Sequence, residues 1–213
     1  MTSAQDRGDE KTQYFEAEPT VPSKPKEIEL VLPDVYLRLC TDSGVFSGDK
    51  VDSGTRYLLQ EHPSIPESAQ SILDLGCGYG PIALTAASRA PRSTVWGIDV
   101  NNRALALARA NATANGLTNV HFGTMNEVPK DLTFDLIMSN PPIRIGKAAL
   151  HELLMTWMTR LSPNATVWMV VHKHLGSDSL ADWLTAQGWP TSRLSSRKGF
   201  RLLETRLPSP AAE

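Results

Sequence analysis

The chain has 213 residues, 41% hydrophobic content and a formal net charge of −2, which fits one α/β domain with extensions better than two full domains. The small net charge excludes nucleic-acid binding through an overall basic field, so any such site must be a local patch. The two cysteines, Cys40 and Cys77, exclude a disulfide framework, and no apolar run approaches a membrane span of about 20 residues. Because the N-terminus also lacks an apolar signal core, we expect a cytoplasmic protein.

The first third of the chain predicts a tail and an extension ahead of the main domain. Residues 1–26 are polar, charged and finally proline-rich, which is typical of a flexible tail. Residues 27–66 predict an N-terminal extension: alternating apolar residues around a Pro-Asp turn favour a β-hairpin, and a glycine-rich loop follows. A helix is expected after this loop, beginning at Asp52 or Ser53 and running through Gln60.

Residues 67–208 predict an α/β domain, and residues 209–213 a flexible C-terminus. The expected order is strand, helix, strand, helix, two strands, helix, strand, helix and two closing strands around Lys198-Gly199. Such alternation predicts βαβ units and a parallel sheet. Right-handed crossovers bring the carboxyl ends of parallel strands to one edge, where ligands of open α/β sheets bind.

The segment DLGCGYGP follows the first strand of this domain and begins its first helix. Gly76, Gly78 and Gly80 permit a tight turn and a close approach of ligand to backbone. A dinucleotide fingerprint needs Gly or Ala where Pro81 stands, so a nicotinamide cofactor is disfavoured. Asp74, on the strand before the loop, suits a cationic ligand better than a pyrophosphate.

Asp99 ends the second strand of the domain, about 20 residues beyond the loop. An acidic side chain at this point accepts hydrogen bonds from both ribose hydroxyls of an adenosine-containing ligand. A cationic amino-acid end near Asp74 and a ribose at Asp99 together describe S-adenosylmethionine. Either carboxylate alone is equally well a turn or cap residue, so the interpretation depends on the pair. No His, Cys or carboxylate cluster has the spacing of metal ligands.

The segment SNPPIRIG places an amide and two prolines after an apolar strand. An exocyclic amine on a planar base is a poor nucleophile, and its hydrogens gain positive charge during attack, so two fixed acceptors in a dry site would help. The side-chain oxygen of Asn140 and the carbonyl of Pro141 are the predicted acceptors, and Pro142 restricts the backbone before it. The alternative is a strand-end amide that caps a turn.

Three segments, DLGCGYG, GIDVNNRALALARAN and SNPPIRIGK, resemble in order and spacing the class I S-adenosylmethionine-dependent methyltransferases of the amine type. TDSGVFSGDKVDSGTRYLL, HELL and KGFRLLE are similar to segments of the ribosomal RNA small-subunit guanine-N2 methyltransferases. The resemblance covers roughly residues 14–207. The Asn-Pro-Pro motif alone is shared with adenine and glutamine methyltransferases.

The resemblance implies a Rossmann-like class I methyltransferase fold: a seven-stranded, mostly parallel sheet with one antiparallel strand and helices on both faces. It also implies that residues 27–66 cover the cofactor side, with Phe46 and the Asp52-Gly54-Thr55 turn folded over it. Many family members carry two tandem halves, whereas this chain has the catalytic one. An aromatic residue often follows the prolines, whereas Ile143 stands here and would select a ring by shape.

The candidate site residues fall into three groups at the carboxyl edge of the predicted sheet. The catalytic group is Asn140, Pro141 and Pro142. The cofactor-binding group is Asp74, Gly76, Cys77, Gly78, Gly80, Asp99, Val100, Met125, Asn126 and Asn140, in which Asn126 and the Met125 amide face the adenine. The substrate-binding group is Phe46, Ile143, Arg144 and Lys147. Further basic residues that reach RNA phosphates, or equally well form a solvated surface, are Lys173, Arg193, Arg197, Lys198 and Arg201.

Together these features predict an S-adenosylmethionine-dependent N-methyltransferase whose target is guanine N2 of small-subunit ribosomal RNA. The expected partner is ribosomal RNA or the small ribosomal subunit, without a metal or a membrane, and the target base must be flipped or single-stranded. Methylation of a protein glutamine or of adenine N6 is the alternative among enzymes. A non-catalytic assembly factor that binds RNA or the cofactor is the alternative outside them.

Overall fold

The computed structural model describes residues 17–207. The predicted tail residues 1–16 and the predicted flexible residues 209–213 lie outside this described part of the chain. The N-terminal extension contains an antiparallel hairpin of β1 (Lys26–Val31) and β2 (Tyr36–Thr41), followed by helix α1 (Ser53–Glu61). The hairpin turns where Leu32 donates its amide to the Val35 carbonyl at 2.9 Å, as the Pro-Asp sequence predicts.

The main sheet has seven strands in the order β5-β4-β3-β6-β7-β9-β8. All neighbouring strands are parallel except β9, which is antiparallel to both β7 and β8, so the predicted single antiparallel strand is confirmed. The strands are β3 (Ser71–Leu75), β4 (Thr94–Ile98), β5 (Val120–Gly123), β6 (Phe134–Ser139), β7 (Leu161–His172), β8 (Thr191–Arg197) and β9 (Phe200–Arg206).

Four helices cover the faces of this sheet: α2 (Pro81–Arg89), α3 (Asn102–Ala114), α4 (Lys147–Met158) and α5 (Ser177–Ala186). Successive strand residues point to opposite faces, so Ile72 joins the core beneath α1, α2 and α3, whereas Leu73 joins the core beneath α4 and α5. Both faces are therefore buried, which explains the nearly continuous apolar runs in the central strands.

The order of the strands reverses between β3 and β6. From β3 the chain moves outward to β4 and β5, then returns to the other side of β3 as β6. The loops that follow β3 and β6 leave this point in different directions and open a crevice at the carboxyl edge. This crevice is where the glycine loop and the Asn-Pro-Pro segment meet.

The segment from residue 17 to 25 is bound to the domain, which corrects the expectation of a flexible tail through residue 26. Arg103 on α3 donates to the carbonyls of Pro19, Val21 and Ser43 at 3.2, 3.0 and 2.8 Å. The Asn102 amide also donates to the Ala17 carbonyl at 3.0 Å. The sequence did not indicate this anchoring, because the segment itself has no periodicity and its partner Arg103 lies far along the chain.

Asn111 on α3 ties the extension to the glycine loop. Its Oδ1 accepts from the Cys40 amide at 2.7 Å, and its Nδ2 donates to the carbonyls of Cys40 and Tyr79 at 2.9 and 3.0 Å. The side chain is only 1% exposed, so water cannot replace these bonds. One buried amide thereby holds the hairpin in a fixed place beside the crevice.

Replacing this amide should destabilise the protein measurably. Asn111→Ala leaves buried backbone groups of Cys40 and Tyr79 unsatisfied, which we expect to cost about 2 to 3 kcal/mol in the free energy of unfolding, measured by urea denaturation. Asn115→Ala is the matched control, because Asn115 makes the same pair of bonds to Arg38 at a more exposed place. Equal losses from both variants would contradict the explanation from burial.

Candidate active site

The crevice is a cavity between the extension, the glycine loop and the end of β6. Its walls combine predicted and unpredicted residues. They are Phe46, Ser47, Asp52, Thr55, Gly76, Cys77, Gly78, Tyr79, Pro81, Ile82 and Asn140. The structure therefore brings Phe46, the predicted loop residues Gly76, Cys77 and Gly78, and Asn140 to one place, although they are far apart in the sequence.

The glycine loop is bent by residues with positive φ and held against β4. Gly76, Gly78 and Gly80 have φ values of 78°, 55° and 95°, which side chains rarely tolerate. The amides of Gly76 and Cys77 both donate to the Ile98 carbonyl at 2.9 Å. A Cβ placed on Gly78 would meet no described atom within 4 Å, so the space beside this backbone is open to a ligand.

Asp99 connects the end of β4 to this loop. Its two carboxylate oxygens accept from the amides of Gly78 at 2.8 Å and Asn101 at 2.9 Å. Burial raises the pKa of Asp99 above its usual range, and the amide donors oppose that rise. Because a carboxylate offers about four acceptor positions, Asp99 retains capacity for hydroxyl donors of a ligand.

Asp74 lies beneath the loop and is 1% exposed. Its Oδ2 accepts from the Ala83 amide at 2.9 Å, whereas its Oδ1 has no partner among the described residues. Burial, together with the nearby charge of Asp99, raises the pKa of Asp74 to about 8. A cation in the crevice would favour the ionised form of this carboxyl group.

Asn140 is bound to the extension through its amide nitrogen. Nδ2 donates to Asp52 Oδ2 at 2.9 Å and to Thr55 Oγ1 at 3.0 Å. No donor within residues 17–207 bonds to its Oδ1. The side chain lines the cavity, so this oxygen is an acceptor that the protein fixes in place and leaves without an internal partner.

The two prolines form a tight turn after Asn140. Pro142 has φ −75° and ψ 65°, and the Pro141 carbonyl accepts from the Ile143 amide at 2.8 Å, which describes an inverse γ-turn. One lone pair of the predicted acceptor is therefore used within the turn, and the second remains available. Pro142 also approaches the glycine loop, since a Cβ on Gly76 would lie 3.6 Å from its Cδ.

The residues predicted to contact an adenine lie at the ends of β4 and β5 and do not line the cavity. Val100 and Met125 are 54% and 44% exposed, and Asn126 is exposed as well. Sequence reasoning missed Glu127, which accepts from the amide and the hydroxyl of Thr124 and thus shapes this turn. The assignment of Met125 and Asn126 stays a prediction.

The predicted substrate residues separate into two environments. Phe46 lines the cavity and is 45% exposed, and Arg144 and Lys147 are exposed beyond the prolines. Ile143, in contrast, is half-buried and packs against the core that contains Leu150. Part of its apolar surface thus stabilises the loop, which sequence reasoning did not foresee.

The basic residues near the edge are not equivalent. Arg201 is paired with Asp178, and Arg197 lies 3.7 Å from Glu61, so both guanidinium groups have an acidic partner inside the protein. Lys173, Arg193 and Lys198 are exposed. Phosphate binding is therefore better supported for these three than for Arg201.

Tyr79 is a cavity residue that sequence reasoning passed over. It is 2% exposed, and its hydroxyl has no hydrogen-bond partner among the described residues. Burial and then the charge of Asp52 raise the pKa of Tyr79, so the hydroxyl keeps its proton and remains a donor.

Within residues 17–207 no cluster of potential metal ligands occurs, and no helix is long and apolar enough to cross a bilayer.

Comparison with known proteins relates this geometry to a family. The methyltransferase small domain model matches residues 36–204. The uncharacterised protein YbxB of Bacillus subtilis (strain 168) is 35% identical over 196 residues, which are 91% of this chain and 97% of YbxB.

More distant relatives carry descriptions of their function. Ribosomal RNA small subunit methyltransferase C of Shewanella piezotolerans is 31% identical over 161 residues, 73% of this chain and 46% of that protein. Ribosomal RNA large subunit methyltransferase G of Shewanella putrefaciens is 31% identical over 159 residues, 70% of this chain and 42% of that protein. The chain thus spans nearly all of YbxB but less than half of these two relatives.

Among solved structures, a T. thermophilus 16S rRNA N2 methyltransferase in complex with AdoMet and guanosine is similar. The TM-score is 0.74 at 23% sequence identity, and the match covers 89% of this chain and 52% of that one. At this identity the likeness shows the fold, and it confirms the predicted Rossmann-like methyltransferase architecture.

The buried carboxyl group of Asp74 should make stability depend on pH. Its pKa of about 8 in the folded protein exceeds the value near 3.9 of an unfolded chain, so the folded state holds the proton more tightly. This contribution to stability is complete below about pH 4 and is lost as pH rises to about 8. Asp74→Asn should remove that loss.

The measurement is the free energy of unfolding of the ligand-free protein at pH values from 4 to 9, compared between wild type and variant. Asp182→Asn, at an exposed position, is the control and should run parallel to wild type. A constant difference between wild type and Asp74→Asn across this range would contradict the elevated pKa.

Proposed function

The chain belongs to the methyltransferase small domain family, and from its cavity and the descriptions of its relatives we propose that it is an S-adenosylmethionine-dependent methyltransferase of ribosomal RNA that acts on guanine N2 of the small subunit. The observation that carries the proposal is the orientation of Asn140. Its nitrogen is bound to Asp52 and Thr55, and its oxygen is left as an acceptor in the same cavity as the glycine loop.

The residues at the ends of β3 and β4 fit S-adenosylmethionine, which when bound supplies a methyl group activated by a sulfonium. The open space beside Gly78 admits a ligand close to the backbone. Asp99 has spare acceptor capacity for ribose hydroxyls, and the unpaired Oδ1 of Asp74 favours a cationic end nearby. Val100, Met125 and Asn126 remain the proposed neighbours of the adenine.

Asn140 and Pro141 would make the amine nucleophilic. Their oxygens accept the two amine hydrogens, which become more positive as the nitrogen lone pair leaves the aromatic ring. Acceptors fixed by Asp52 and by the inverse γ-turn need little reorganisation at this moment. Among the described residues that line the cavity there is no histidine or lysine, and the mechanism needs none, because the extra proton leaves after methyl transfer.

Ribosomal RNA as the substrate is supported by the descriptions of the relatives and by the surface near the prolines. Phe46 offers an aromatic ring at the cavity, and Arg144 and Lys147, which follow the prolines, are exposed to solvent and available for phosphates. In this proposal residues 67–208 form the catalytic domain, and residues 27–66 cover the cofactor side.

The decisive experiment is to incubate the protein with methyl-labelled S-adenosylmethionine and small-subunit rRNA, free or in subunits, from cells that lack the protein. Nucleoside analysis of the digested RNA should give N2-methylguanosine. Label in N6-methyladenosine or in a protein would overturn the guanine assignment. Cofactor binding without transfer to any of these substrates would instead favour a non-catalytic assembly factor.

Removing the proposed acceptor should separate binding from chemistry. Asn140→Ala should retain cofactor binding, measured by titration calorimetry. Its single-turnover rate should fall on the order of 10² to 10³-fold, the effect of losing one fixed polar contact to a transition state. Wild-type speed in this variant would contradict the mechanism.

A further inference from the structure

We propose that Asp52 is a positioning residue that decides which end of the Asn140 amide faces the substrate amine. The inference rests on the proposed function, because it assigns a cause to the orientation on which amine activation depends. Asp52 belongs to the N-terminal extension and lies 88 residues before Asn140 in the sequence. The role goes beyond covering the cofactor side, which is all that the resemblance implies for this segment.

The hydrogen bonds around Asp52 permit only one orientation of the amide. Asp52 Oδ2 accepts from the Gly54 amide at 2.8 Å, the Thr55 amide at 3.1 Å and Asn140 Nδ2 at 2.9 Å. An ionised carboxylate accepts hydrogen bonds and donates none. Only the NH₂ end of Asn140 can therefore face it.

Thr55 cannot make this choice by itself. Its hydroxyl lies 3.0 Å from Asn140 Nδ2, but a hydroxyl group donates as readily as it accepts. Thr55 would thus tolerate either end of the amide, and the carboxylate supplies the discrimination. Asp52 and Thr55 together occupy both hydrogens of the NH₂ group, so that neither one points toward the substrate.

The orientation matters because the two ends of an amide are nearly identical in shape and opposite in function. Turned by 180°, Asn140 would present an NH₂ group to the substrate amine and an oxygen to the Asp52 carboxylate. The NH₂ group would give the substrate amine no acceptor. The amide oxygen and the Asp52 carboxylate both carry negative charge and would repel each other. A charged acceptor behind the NH₂ group also polarises the amide, which strengthens its outward oxygen as an acceptor.

The backbone holds the Asp52 carboxylate in place. Asp52 is the N-cap of α1, so its side chain is fixed by the first amides of the helix. Gly54 is needed here, since a Cβ at this position would lie 2.9 Å from Asp52 Oδ2 and 2.8 Å from a ring carbon of Phe200.

Capping alone does not account for a carboxylate at this position. Asn and Ser cap helices about as well as Asp, so the start of α1 leaves the choice among them open. The contact with Asn140 distinguishes these residues, because only the carboxylate lacks a hydrogen that could face the amide oxygen. A cap role and a positioning role therefore make different predictions when residue 140 is changed.

The test is a cycle of Asp52→Asn, Asn140→Asp and the double variant at pH 8, with cofactor affinity, single-turnover rate and thermal stability as readouts. In the wild-type background, Asp52→Asn should slow transfer on the order of 5-fold, because a neutral hydrogen bond is about half as strong as a charged one. Cofactor affinity should change less than the transfer rate, since the proposed hydrogen bonds to the cofactor are made by Asp74 and Asp99.

In the Asn140→Asp background the same substitution should have the opposite sign. A carboxylate at position 140 has two equivalent oxygens and no orientation to set, but it stands against the Asp52 carboxylate and is repelled. Asp52→Asn removes the repulsion and returns an NH₂ group to the contact. The double variant should therefore be faster and more thermally stable than Asn140→Asp alone.

Each result has a distinct meaning. If Asp52→Asn changes the transfer rate in the same direction in both backgrounds, or in neither, its effect does not act through Asn140, and the positioning role is rejected. If the effect of Asp52→Asn on stability changes sign between the backgrounds but its effect on the transfer rate does not, the positioning role is rejected as well. The proposed methyltransferase function is not affected by that result. If the wild-type protein transfers no methyl group, the proposed function and this role are rejected together. The thermal stabilities of the single and double variants still show whether Asp52 and Asn140 interact.

Asp49→Asn is the matched control for the loss of charge. Asp49 lies in the same segment, its side chain is 92% exposed, and it pairs with Lys26 rather than with the site. It should change the transfer rate by less than about 2-fold and leave the thermal stability as it is, in either background.

Discussion

Chemistry in this protein is confined to the places where strands end, because the central sheet is buried on both faces. Along β3, β6 and β7 most apolar side chains enter one of two cores, so few positions are left for polar groups. The exceptions stand at the carboxyl edge, as Asp99 and Asn140 do. The reversal of strand order between β3 and β6 then brings the glycine loop and Asn140 together. The topology of the sheet therefore determines where the site lies.

The features that the sequence predicted well are those that local patterns control. Alternating or continuous apolar residues located the strands, and helical spacing located the helices. The residue types of the Lys198-Gly199 turn and of the Asp52 cap indicated a turn and a helix start. Gly76 and Asn140 were identifiable because their residue types are unusual at the end of an apolar strand. These signals need only a few neighbouring residues.

The features that the sequence could not predict depend on contacts across long separations. Nothing near Asn140 indicates that Asp52 holds its amide, nor does any local pattern indicate that Ile143 packs into the α4 core. Asp74 was placed correctly on its strand, but its burial beneath the loop depends on how α2 begins. The anchoring of residues 17–25 by Arg103 is likewise invisible in a segment without periodicity.

The extension that contributes to the walls of the crevice also imposes an order on folding during synthesis. The extension leaves the ribosome well before its partners. Cys40 of the hairpin is bound to Asn111, which is synthesised 71 residues later, and Asp52 is bound to Asn140, which is synthesised 88 residues later. Until α3 and β6 emerge, Leu30, Leu37 and Leu39 have no core to enter. A nascent chain of this protein thus exposes an apolar hairpin for much of its translation, which is the state that chaperones protect from aggregation.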